Sequence, residues 1–267
     1  MMKPTACSLV LIAGLVCPRA SAQMDSWTSD RELATDLIKN GSAWEFDRAS
    51  LWFENGVMDP KEMSAFGQLV NQGILDIEGF LRVPHPGTRK IRYFISTQIE
   101  ISHSTWRSIF LPLSKVESHS APYLHETAHV LAPCEDCPMW FSEGLASYIQ
   151  SFVSEHTGGY DGAIFSRRGN WGIDQDARRW LASSRGQAVL PFIGVHGEPP
   201  EINYDRSNVA APFYVMAQSF VKFMVEQATF EKLHPVFEAK DFDAELEAAT
   251  GKTAAGWKIQ WLTSLKR

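Results

Sequence analysis

His125-Glu126-Thr127-Ala128-His129 is the stretch that decides how this chain folds and what it holds. The apolar residues around it (Tyr123, Leu124, Val130, Leu131) and the preceding Pro122 predict a helix from Pro122 to Ala132. In a helix, positions i and i+4 lie on one face, so both imidazoles aim at one point. That spacing suits two ligands of a tetrahedral zinc, with Glu126 next to the first His and within reach of a water there. Two solvated surface histidines would satisfy the same spacing. The apolar flanks argue instead for a buried helix, on which two His and a Glu need partners.

Working outward, a metal with an open position wants a third protein ligand. Glu143 lies in Trp140-Phe141-Ser142-Glu143-Gly144-Leu145-Ala146-Ser147-Tyr148, one turn into a second helix starting at Pro138. Apolar neighbours bury it, and Gly144 and Ala146 are small enough for this helix to approach the first closely. Glu135 and Asp136 are rival ligands in the tight polar loop between the helices; Glu143 is favoured. A helix-start Glu placed for the macrodipole is the plainer account. The same loop holds Cys134 and Cys137, a disulfide candidate in an oxidising compartment.

Upstream, Asp59-Pro60 is an N-cap and first-turn signal. Met63, Phe66, Leu69, Val70, Ile74, Ile77 and Phe80 follow at helical spacing as far as Leu81, with Gly73 as a weak point. Lys90 to Ile95 and Ser108 to Leu113 are β-rich and predict strands. Pro112 removes a backbone donor and places the second strand, including Ile109, Phe110 and Leu111, at a sheet edge. Residues 23–58 predict only short helices and turns. Downstream, 154–172 reads as a polar stretch, 174–184 as a short helix, and 185–210 as loop. Pro212 to Gln227 then predicts a long helix, and further short helices follow near 229–239, 241–250 and 253–265. The whole is an α+β protein: a small N-terminal mixed β-sheet with helices, then a mostly helical C-terminal lobe.

The N-terminus reads as a signal peptide over 1–22. Lys3 precedes the apolar run Cys7 to Cys17, and Ala20-Ser21-Ala22 fits the cleavage pattern. Residues 23–267 then form a single domain, with 23–132 as the α/β part and 133–267 as the helical part. Losing Lys3 and Arg19 takes the formal charge from −6 to −8. An acidic chain with no basic run gives no reason to expect nucleic acid as partner. No other run is long and apolar enough for membrane insertion. A periplasmic or secreted location follows from the leader.

H-E-x-x-H followed by W-x-x-E-G-x-A-x-Y resembles the gluzincin metallopeptidases, in particular small secreted bacterial members of the peptidase MA-like superfamily. The resemblance spans roughly residues 60 to 240. It implies a zincin-like fold, one Zn2+ held by His125, His129 and Glu143, Glu126 as general base, and a peptide or protein substrate. It also implies an oxyanion-stabilising tyrosine at the start of a later helix; Tyr214 matches, with Tyr204 in reserve. The strand holding Ile109, Phe110 and Leu111 precedes the helix with the two histidines, as the substrate-pairing edge strand does in zincins. The chain departs from the pattern in two places. Only thirteen residues separate His129 from Glu143, and Ser147 stands where thermolysin-like members have a carboxylate that orients a histidine. Two other readings compete: a non-catalytic secreted binding module on a zincin scaffold, and a zinc hydrolase of a non-peptide substrate.

Overall fold

The computed structural model describes residues 18–82, 90–134, 136–157, 169–197, 199 and 209–266. The apolar run Cys7 to Cys17, Tyr204 and Glu135 lie outside them. Helix α1 (Pro18–Asn40) begins the described chain, so Ala20-Ser21-Ala22 falls in its first turns. Strands β1 (Ser42–Glu45) and β2 (Ala49–Phe53) follow as an antiparallel pair. The expectation of short helices and turns over 23–58 is therefore corrected to one long helix and a hairpin.

Helix α2 (Pro60–Leu81) starts where the Asp59 side chain accepts a hydrogen bond from the Lys61 backbone N–H, and ends at Arg82 in the left-handed region. It links β2 to the parallel strand β3 (Ile91–Ser96). Next come β4 (His103–Thr105) and β5 (Ser108–Pro112). They complete a five-stranded mixed sheet in the order β1-β2-β3-β5-β4. β5 is thus an inner strand, parallel to β3 on one side and antiparallel to β4 on the other. The edge position expected for Ile109, Phe110 and Leu111 is wrong. β4 pairs only as far as Phe110. Leu111 and Pro112 extend past it and pair with β3 alone, where a missing donor is tolerated.

Alternation along the strands splits the sheet into two buried faces. Leu51, Phe53, Tyr93, Ile95, Ile109 and Leu111 join the main core. Phe94 and Phe110 face the other way, where they stack 5.1 Å apart and pack with Leu37 of α1 and Trp52. Burial on both sides explains why these strands read as continuous apolar runs.

After β5 the short α3 (Leu113–Glu117) leads to α4 (Tyr123–Leu131). The elements described after it are helices: α5 (Met139–Thr157), α6 (Gly169–Leu181), α7 (Ser184–Val189), α8 (Ala211–Ala228), α9 (Phe230–Leu233), α10 (Phe242–Thr250) and α11 (Ala254–Ser264). α7 and a 3-10 turn at Leu190–Phe192 occupy part of the expected 185–210 loop, and α6 begins earlier than the expected 174. A column of aromatics ties three of these helices together. Trp140 of α5 stacks on Phe220 of α8 at 4.8 Å, and Phe220 meets Trp261 of α11 at 5.2 Å. Among the described residues no helix is long and apolar enough to cross a membrane.

Two glycines set the helix approaches that place the site. A Cβ on Gly73 of α2 would stand 2.6 Å from Leu124 Cδ2 and 2.9 Å from Tyr123 Cε2. Gly73 is the seat for the first turn of α4. A Cβ on Gly144 would stand 2.6 Å from the Ala217 carbonyl oxygen. Gly144 therefore lets α5 close on α8, whereas the sequence reading had it facing α4.

Candidate metal centre

The site is built by α4 against α5. α4 is anchored from below: the Tyr93 hydroxyl of β3 and Thr127 Oγ1 stand 2.6 Å apart, and Thr127 donates back to the Tyr123 carbonyl at 2.5 Å. Burial pushes the Tyr93 phenol far above its ordinary range despite that contact, so it stays neutral. With Thr127 turned into the core, His125 and His129 turn towards α5, one helical turn apart. His125 and Glu126 are themselves buried, at 4% and 6% exposure.

Three donor atoms converge. His125 Nε2 lies 3.1 Å from His129 Nε2 and 3.1 Å from Glu143 Oε2, and His129 Nε2 lies 3.6 Å from the same oxygen. Donors about 2.0–2.2 Å from a tetrahedral zinc stand about 3.3–3.6 Å from each other, so all three separations match to within about 0.2 Å. The two rings meet edge to face, 82° apart, with their Nε2 atoms close together. Two such lone pairs and a carboxylate repel one another unless a cation or protons stand between them. His125, His129 and Glu143 are also a group of donors able to hold a metal ion.

The electrostatics agree with a cation seat. Burial works to raise the Glu143 carboxyl, but the charge on His129 and hydrogen bonds from His125 and His129 outweigh it and hold Glu143 well below the usual carboxylate range. Burial works to lower His129, yet the charge of Glu143, its hydrogen bond and the charge of Glu126 raise it. The negative field that favours a proton on His129 favours a metal ion at the same place.

The other Nδ1 atoms also meet α5. Ser142 Oγ stands 3.4 Å from His129 Nδ1, and Ser147 Oγ stands 3.5 Å from His125 Nδ1. Ser142 carried no signal in the sequence beyond preceding Glu143. Ser147 had one, its place four residues after Glu143 on the same helix face. Tyr214 lies in the first turn of α8 with its ring centroid 6.2 Å from that of His125. Cys134 and Cys137 are joined as a disulfide in the link from α4 to α5. Ile109 and Phe110 are paired on both sides, by β3 and β4, and Leu111 is paired with β3 alone.

No protein-family model and no curated relative matches the chain. Among solved structures, the chain is similar to a mutant M1 zinc metallopeptidase from Deinococcus radiodurans bound to a Tyr-Ser-Ala substrate. The two share 15% identity with a TM-score of 0.50, over 82% of this chain and 50% of that one. A structure of an M1 zinc metallopeptidase from Deinococcus radiodurans matches at 15% identity and TM-score 0.48, over 83% and 50% of the respective chains. A functionally unknown conserved protein from Bacillus anthracis str. Ames matches at 11% identity and TM-score 0.47, over 88% and 54%. The chain thus spans about half the length of these proteins. At such identities the first likeness is one of fold: mixed α+β and zincin-like, as in zinc metallopeptidases.

Proposed function

We propose that this chain is a zinc-dependent peptidase of the gluzincin type, with His125, His129 and Glu143 as ligands of one zinc and Glu126 as general base. The observation that carries the reading is the convergence of three donor atoms at tetrahedral spacing beside a second, buried carboxylate. Bound there, zinc supplies Lewis acidity towards a substrate carbonyl and lowers the pKa of water. Glu126 takes the proton from the attacking water and returns it to the leaving amine. The Tyr214 hydroxyl donates to the oxyanion of the tetrahedral intermediate. β4 is the outer strand beside α4 and offers the sheet's edge to an extended peptide.

A peptide is the substrate class that the fold likeness supports, since the similar M1 enzyme was solved with Tyr-Ser-Ala. Residues 1–22 act as a cleaved leader, and 23–267 work as one domain in the periplasm or outside the cell, as in the small secreted bacterial members that the motif resembles. The buried Glu126 favours a hydrolase over a binding module, which has no use for a desolvated base beside its metal.

The test compares wild type with Glu126→Gln for zinc content and for digestion of a peptide library. Both proteins are expected to hold one zinc. Cleavage by the variant falls by about 10²–10⁴, the range for losing a general base. Undiminished cleavage would overturn the assignment of Glu126. Zinc in wild type with no cleaved peptide would instead favour the binding module or a non-peptide hydrolase.

A further inference from the structure

We infer that Ser142 and Ser147 are the positioning residues of the metal centre, each accepting the Nδ1–H of one histidine so that both Nε2 atoms are left bare for the cation. The inference rests on the proposed metal reading and adds what orients its ligands.

A histidine that binds through Nε2 must carry its proton on Nδ1, and the acceptor of that proton sets tautomer and ring angle. For each histidine a hydroxyl on one helix, α5, lies within reach of Nδ1. Ser147 Oγ is 3.5 Å from His125 Nδ1, and Ser142 Oγ is 3.4 Å from His129 Nδ1. Glu143 sits between them in sequence. Residues 143 and 147 share a face of α5 by their i, i+4 spacing, and 142 lies at its border. The same few residues of α5 thus supply the third ligand and both orienting groups. Any rigid shift of α5 against α4 therefore alters the third ligand and both orienting contacts at once.

The chemistry differs from that of a carboxylate acceptor. A carboxylate pulls the Nδ1 proton strongly and makes the imidazole a stronger donor at Nε2. A serine hydroxyl is neutral, so it fixes the tautomer while leaving the ring a weaker donor. The resulting site holds its zinc less tightly than one with a carboxylate at position 147.

The experiment measures zinc affinity by chelator competition in the full chain, independently of turnover, with circular dichroism as a fold control. Ser142→Ala and Ser147→Ala are each expected to weaken zinc binding by about 10-fold, the low end for loss of an orienting partner. Ser147→Thr, which keeps a hydroxyl, stays within about 3-fold of wild type by the same reasoning. The Ser142→Ala/Ser147→Ala double variant, with affinity within about 2-fold of wild type, overturns the inference while leaving the metal reading in place. A loss as large in Ser147→Thr as in Ser147→Ala assigns the effect to packing and also overturns it. A wild-type chain that takes up no zinc overturns both.

Discussion

At the residue scale, Tyr214 is the group whose role depends most on the chemistry of the site. Its ring stands beside that of His125, in the first turn of α8. A phenol there can meet an oxyanion only through its hydroxyl. Tyr214→Phe keeps the ring and its packing, so zinc content and KM should hold. kcat should fall by about 10²–10³, the usual loss for one oxyanion donor. An unchanged kcat would reduce Tyr214 to packing. How far such roles can be read from sequence depends on whether spacing encodes them. His125 and His129 were legible because i, i+4 is a geometric statement. Glu143 was legible because a carboxylate set among apolar neighbours demands a partner. Ser142 was not, because serine at a helix start has many uses and none of them fixes where the hydroxyl points.

At the scale of elements, the approach of α5 to α8 rests on Gly144. A methyl group there would meet the Ala217 carbonyl oxygen at 2.6 Å and Val221 Cγ2 at 2.8 Å. In a free helix, Gly→Ala gains about 1 kcal/mol. Here Gly144→Ala should cost about 1–3 kcal/mol by overpacking, seen as a lower Tm, and should weaken zinc binding by displacing Glu143. A gain in Tm would show that α5 and α8 separate at little cost. The sheet carries a second prediction, at the end of β3. Glu54 accepts from the Thr97 backbone N–H, from Thr97 Oγ1 and from Ser96 Oγ. The Thr97 backbone bond leads the causes that lower its carboxyl below the ordinary 4.5. A depressed carboxylate contributes stability above its unfolded value and loses it as pH falls through the folded one. Glu54→Gln should therefore melt below wild type at neutral pH, and the gap should narrow as pH falls below 4.5. A gap constant with pH would remove Glu54 from the acid response. These elements were unequally legible. α2 carried both a cap and a 3.6 period over 22 residues. β1 and β2 are four and five residues long, too short for alternation to stand out. In β5, Pro112 marks an edge only for the last two residues, which outrun β4.

At the scale of the whole molecule, the site joins elements that pack on the sheet to helices that follow it in the chain. Its two histidines sit on α4, which packs on α2 and the sheet, and Glu143 sits on α5, which packs on α8 and the helical lobe. The link between α4 and α5 is short and closed by the Cys134–Cys137 disulfide, so little loop entropy opposes the join. A zinc held by ligands from both helices would stabilise the fold as a unit, because the unfolded chain offers no preformed seat. At free zinc 100 times the dissociation constant, the gain is about 2.7 kcal/mol. For a chain of this size that raises Tm by about 5–10 °C, at about 2–4 °C per kcal/mol. Thermal melts with zinc and with a chelator should differ by that amount in wild type, each as one transition if the sheet and the helical lobe unfold together. His129→Ala should abolish the difference while its chelated melt remains near that of chelated wild type. A full zinc-dependent shift in His129→Ala would mean that the stabilising ion sits elsewhere. A second transition at lower temperature, moved by zinc alone, would mean that the helical lobe opens independently of the sheet.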